Sequence, residues 1–178
     1  MKQLIETSQL EVYIKQSLQA GSLQISLSDS VINYLTGTLT EFIRSEALFK
    51  KYRYGLIEQE NSLEPLTMLA RTDSQEGLAL RKLKAQIVGN ECLFLVSFFY
   101  EYLLRQCGEA LLKFHGQLGA VAYQYRAQFS EALVFLELAD KFWNISGVVR
   151  NLDQSRIFQN KLVGAHQKYL IDGLGLDN

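Results

Sequence analysis

Four polar residues lie in or near the most apolar part of this chain: Ser97, Arg105, His115 and Tyr123. They are the candidates for binding or chemistry. An arginine turned into an apolar interior needs an anion or a carboxylate partner. A histidine beside glycines has room for a ligand, as a general base or an axial haem ligand. The competing reading is a core histidine satisfied by a neighbouring helix, and it is the one adopted for His115 and for His166. A buried serine is a nucleophile only beside a base. Ser97 has no strand–turn–helix elbow around it, so it is read as bonding the carbonyl four residues back in its own helix. No metal site is expected. The two histidines form no His-Glu-x-x-His or Glu-x-x-His, and no Cys-x-x-Cys occurs. Di-iron bundles need Glu-x-x-His on two helices. A zinc site from Cys107, Glu109 and His115 is conceivable in geometry but has no motif behind it. No phosphate-binding glycine loop is present either. Gly116-Gln117-Leu118-Gly119 is a lone Gly-x-x-Gly inside a helical pattern, so it marks close helix packing. No cofactor is expected.

Composition narrows the class. The chain has 178 residues, 48% apolar and 21% charged, with a formal net charge of −1. That is enough apolar material for a core and too little charge for intrinsic disorder. Lys50, Lys51 and Arg53, and Arg81, Lys82 and Lys84, form two basic clusters. Without an overall basic excess they read as solvated helix faces, and nucleic acid is not an expected partner. The run Cys92 to Leu104 is the most apolar stretch, but Glu101 interrupts it. It falls short of the roughly 20 apolar residues that a spanning helix needs. The first residues carry charge and no apolar run, unlike a secretory signal. Cys92 and Cys107 on one helix would stand about 22 Å apart at the helical rise, beyond the reach of a disulfide. Free thiols and a cytoplasmic location are the expectation.

The elements that position these residues read as helices. Leu10, Ile14 and Leu18 mark a helix over 9–20 that stops at Gly21. Leu23, Ile25 and Leu27 then alternate as an extended connector, so that 1–27 forms a loosely docked helix and connector. Ser28 or Asp29 caps a second helix whose face is Ile32, Leu35, Leu39, Phe42 and Ile43. Pro65 opens a short helix, and Asp73 with Glu76 resembles a capping box. A stripe of Leu80, Leu83 and Ile87 continues at Phe94 and Phe98, with a break or kink at Gly89-Asn90. Residues 91–106 are apolar nearly all round and form the central helix. Gly108 precedes a helix over 109–127 with Leu111, Leu118, Ala122 and Tyr125 inward. Residues 130–144 form another, with Glu137, Lys141 and Asn144 on its polar stripe. Gly147 and Asn151-Leu152-Asp153 suggest a turn. Phe158, Leu162, Ala165, His166 and Tyr169 define a last helix. The expectation is all-α: a single-domain bundle of six to seven helices around the 91–106 helix.

Residues 89–123 also carry a likeness. Gly89, Leu93, Phe94, Ser97, Phe98 or Phe99, Arg105, Gly119, Ala122 and Tyr123 match a pattern. That pattern reads Gly-Asp, two residues, Leu-Phe, Ser-Gly-Phe-Phe, Arg, a Tyr pair, Met-Gly and Ala-Tyr. In this the chain resembles a family of small bacterial helical proteins without an assigned activity. Glu64-Pro65-Leu66 and Tyr34-Leu35 resemble it as well. Asn90 replaces the family's acid, Phe114-His115 its tyrosine pair, and Leu118 its methionine. The resemblance implies a bacterial, helical, cytoplasmic protein. It implies no reaction, and a catalytic acid at position 90 would be missing here.

Two apolar helices, 91–106 and 130–144, carry more apolar surface than one small bundle easily covers. The first functional expectation is therefore a non-enzymatic protein that works by association, as a homodimer or with a protein partner. The alternative is an anionic small-molecule site between helices, lined by Ser97, Arg105, His115 and Tyr123. On a straight 91–106 helix, Ser97 and Arg105 share a face.

Overall fold

The computed structural model describes residues 7–44 and 77–152. Among these, every regular element is helical, and the helices pack on one another as an all-α bundle. The basic cluster Lys50, Lys51 and Arg53, Pro65, the Asp73–Glu76 pair and the expected last helix with His166 lie outside the described residues.

Helix α1 spans Thr7–Ile25. It buries Ile14 and Leu18 and part of Leu10, as the spacing predicts. It does not stop at Gly21. That glycine lies against the Val148 side chain, with no room for a Cβ, so it marks a close contact. The helix ends at Ser26, whose φ of 52° is left-handed. The expected extended connector is thus mostly helix, with Leu23 exposed on it.

Helix α2 spans Asp29–Arg44. Ser28 caps it: its Oγ accepts the Val31 N–H at 3.3 Å. Asp29 in the first turn and Arg44 in the last complement the helix dipole. The five expected residues, Ile32 to Ile43, are buried. Thr36 and Thr40 join them by donating their hydroxyls to the carbonyls of Ile32 and Thr36, each at 2.7 Å.

Helix α3 spans Leu78–Phe98 without a break at Gly89-Asn90. A Cβ on Gly89 would sit 2.6 Å from the Tyr123 ring. The glycine is there to admit that ring. The stripe through Leu80 and Leu83 does not face inward. Both are exposed, and Ala85 and Val88 are the buried residues at that end. Residues 91–99 are all buried, and the Phe94 ring meets Phe42 and Phe98 at a tilt, at 4.9 and 4.8 Å, and Phe99 edge-on at 5.8 Å. The central helix does not continue straight to 106. Phe99, at φ −111° and ψ 21°, ends α3. One turn, α4 (Tyr100–Tyr102), leads into a π-helical turn over Leu103–Cys107. Gly108 then turns the chain with φ 85°, a conformation that favours glycine.

Helix α5 spans Gly108–Arg126 and runs back along α3. Four pairs fix the antiparallel register: Lys82 with Ser130, Gln86 with Arg126, Gly89 with Tyr123, and Cys92 with Gly119. One further turn brings Ser97 level with His115. Helices α6 (Ala132–Asp140) and α7 (Phe142–Arg150) replace the single expected helix. They meet at Lys141, at φ −100° and ψ 18°. The hydrogen-bond ladder survives the bend, from Lys141 N–H to the Glu137 carbonyl and from Ile145 N–H to the Lys141 carbonyl. Gly147 is helical, and the chain turns at Asn151-Leu152 instead.

The Glu137–Lys141 pair does more than solvate a surface. At 3.0 Å from each other, the two side chains also hold the α1–α2 junction. Ser28 N–H donates to Glu137 Oε1 at 3.0 Å, and Lys141 Nζ to the Ser26 carbonyl at 2.7 Å. Burial raises the Glu137 pKa, but the bonds from Ser28 and Lys141 outweigh it and hold the carboxyl below its usual value.

Candidate functional site

The α3–α5 seam carries a line of polar side chains through the bundle. At its centre, Tyr34 of α2 and Tyr123 of α5 both donate their phenols to Asn90 Oδ1, at 2.7 and 2.9 Å. Three helices are tied at one oxygen. Burial raises both phenol pKa values, Tyr123's strongly, so both stay protonated donors. One turn along, the Arg126 guanidinium is 1% exposed. Its Nε donates to Gln86 Oε1 at 3.2 Å, Nη1 to the Ser130 carbonyl at 2.7 Å, and Nη2 to Glu131 Oε2 at 2.8 Å. Its flat face lies 4.1 Å from the centre of the Phe135 ring. Lys82 of α3 donates to the Ser130 hydroxyl.

At the other end of the seam stands His115, 0% exposed. Among the described residues, neither of its ring nitrogens has a hydrogen-bond partner. Burial without a partner pushes its pKa down to about 4, so the ring is neutral at physiological pH. Phe114 meets it edge-on at 5.7 Å. Ser97 is buried, and its hydroxyl donates to the Leu93 carbonyl at 2.6 Å, as the sequence reading expects.

The four sequence candidates therefore separate. Ser97, His115 and Tyr123 lie along one helix–helix seam, buried. Arg105 does not join them. The π-helical turn carries it to the surface, where its exposed side chain lies 4.0 Å from Glu101. Its premise, a straight helix from 91 to 106, is what the structure corrects. The buried arginine of this bundle is Arg126. Gly116 and Gly119 do mark close packing: a Cβ on either would collide with Trp143 or with Phe142 and Cys92 respectively.

The second feature is an apolar outer face. Leu133 and Leu136 of α6 are 84% and 47% exposed, and Trp143 of α7 is 42% exposed. At i, i+3 and i+10 they follow one side of a helical path. Trp143 also lies over Gly116, so its indole is anchored on one face and open on the other.

Among the described residues, no three His, Cys, Asp or Glu side chains group as a metal site. No described helix is long and apolar enough to cross a membrane. Both cysteines are free thiols, Cys92 buried and Cys107 half-buried. Comparison with protein-family models, with curated proteins and with solved structures finds no match to this chain.

Proposed function

We propose that the protein works by association, as a homodimer joined through the outer face of α6 and α7. The observation that carries this reading is the line Leu133, Leu136 and Trp143, exposed together on consecutive helices. Single exposed leucines are ordinary on a soluble protein, but a row rimmed by polar residues is the usual composition of an interface centre. Glu131 and Asp140 supply exposed polar residues on the same elements. A two-fold axis brings such a row against the same row of its own copy, so that one self-complementary apolar patch serves both chains.

The alternative, an anionic ligand between helices at Ser97, His115 and Tyr123, draws less support. These side chains are closed off by packed helices, and Arg105 stands apart from them.

Sedimentation of the full chain over a dilution series tests the proposal. A dimer that persists to low micromolar concentration supports it, and a monomer there overturns it. Leu133→Lys with Leu136→Lys, both on exposed positions, is expected to give a folded monomer. Trp143 is the only tryptophan, so its emission reports the same event: red-shifting on dissociation if the indole lies in the interface, unchanged if it does not.

A further inference from the structure

The turn between α5 and α6 holds more positive charge than its packing requires. Two cations converge on one residue there. Arg126 Nη1 donates to the Ser130 carbonyl at 2.7 Å, and Lys82 Nζ donates to the Ser130 hydroxyl. One carboxylate answers them: Glu131, bonded to Arg126 Nη2 at 2.8 Å. That carboxylate differs from its partner in one respect. The Arg126 side chain is 2% exposed and the Glu131 side chain 67%. A solvated carboxylate closes over a buried guanidinium like a plug. Glu131 reaches it from a left-handed backbone, φ 55°, an uncommon state for a non-glycine residue.

The donors outnumber the bonds made. A guanidinium has five N–H groups and an ammonium three. Among the described residues, Arg126 uses three and Lys82 one. The Ser130 hydroxyl accepts from Lys82 and keeps its own proton to donate. With Glu131 turned into water, Arg126 and Lys82 keep their contacts to Ser130 and lose the carboxylate that pairs with Arg126. A carboxylate ligand would neutralise half of their charge. A phosphate monoester, close to a dianion at neutral pH, neutralises it fully and offers three acceptor oxygens.

We propose that this turn binds a soluble phosphate-bearing ligand through Arg126, Lys82 and the Ser130 hydroxyl, and that Glu131 is the group the ligand displaces. The site meets the apolar face of α6 and α7 only at Glu131; its donors belong to α3, the end of α5 and the turn after it, so phosphate binding is read independently of dimerisation.

The probe is inorganic phosphate, titrated into the full chain by calorimetry and by thermal unfolding against sodium chloride of equal ionic strength. Saturable stabilisation by phosphate and none by chloride is expected. Glu131→Gln removes the competing charge and keeps the side-chain shape. It is expected to tighten phosphate binding about fivefold, the size of one exposed ion pair. Lys82→Met is expected to weaken it by a similar factor, and it leaves the buried Arg126 and its bonds in place. The proposal is overturned if phosphate and chloride act alike, or if both Glu131→Gln and Lys82→Met leave the affinity unchanged. Co-sedimentation with phosphatidate vesicles, with inorganic phosphate inert, would also overturn it, because the source would then be a membrane.

Discussion

Acid should destabilise this protein through His115 before its carboxylates titrate. The ring is 0% exposed, and its two nitrogens find no partner among the described residues. Charging it inside the bundle is therefore costly. Its pKa falls from 6.5 to about 4 on folding. A group whose folded pKa is depressed binds protons more readily in the unfolded chain. The stability it supports is complete above the unfolded value of 6.5 and is lost as pH falls towards the folded value near 4. The full shift corresponds to about 3 kcal/mol, and about 2 kcal/mol of it is gone by about pH 5. That is a large share of the ~5–15 kcal/mol stability of an ordinary domain. Urea unfolding followed by circular dichroism, at steps between about pH 7.5 and about pH 5, measures it directly. His115→Leu is the control. It removes the titrating group and two buried polar atoms at little change in volume. The variant should be at least as stable as the parent at neutral pH, because an orphaned buried polar group costs about 1–3 kcal/mol. It should also lose the slope across this window. A parent protein with flat stability from about pH 7 to about pH 5 would refute the reasoning, and so would a His115→Leu variant that keeps the slope.

Three other outcomes follow from contacts on the seam. Gly119→Ala should cost about 1–3 kcal/mol in chemical denaturation, because its Cβ meets Phe142 at 2.5 Å and Cys92 at 2.8 Å, both fully packed. Gly116→Ala should cost less, since the Trp143 ring it displaces is half in solvent, and the shift should appear in tryptophan emission. Equal losses for the two would count against this account. Asn90→Leu leaves the phenols of Tyr34 and Tyr123 without their shared acceptor. The expected loss is about 2–4 kcal/mol, larger than for Tyr34→Phe, which leaves Asn90 Oδ1 its bond from Tyr123. In thiol alkylation of the native protein, Cys107 should react slowly and Cys92 only on unfolding, because burial raises both thiols and Cys92 is fully enclosed. Equal labelling rates would contradict that placement.

The bundle is legible in the sequence because apolar spacing near 3.6 is a statement about one helix at a time. Ile32, Leu35, Leu39, Phe42 and Ile43 land inside because α2 needs only one buried stripe. The glycines are where this logic fails. Gly21, Gly89 and Gly147 all read as stops or kinks, and all three are helical. At Gly21 and Gly89 the reason sits on another helix, Val148 and Tyr123, which local spacing does not reveal. Leu80 and Leu83 fail for a related reason. Their period is helical, but which side of α3 is inside is decided by α5, and α5 seats against Gly89 and Cys92.

The same distinction explains why the wrong arginine stood out. Arg105 borders the most apolar run, so a straight helix would carry it inward. The π-helical turn over Leu103–Cys107 adds backbone width and sends it to water. No residue type in that turn signals the change. Arg126 carries a sign in the sequence that Arg105 lacks. It follows Gly119, Ala122 and Tyr123 at i+7, i+4 and i+3, on one stripe of α5, and an acidic residue comes five positions later. A charge on a buried stripe survives only with partners close at hand. Here they come from the next turn, Ser130 and Glu131, and from the facing helix, Gln86. Apolar surroundings alone do not identify a buried charge. An arginine in register with a core stripe, followed just past the helix end by a carboxylate, is the stronger sign. The exposure of that carboxylate is what turns a structural ion pair into a candidate site.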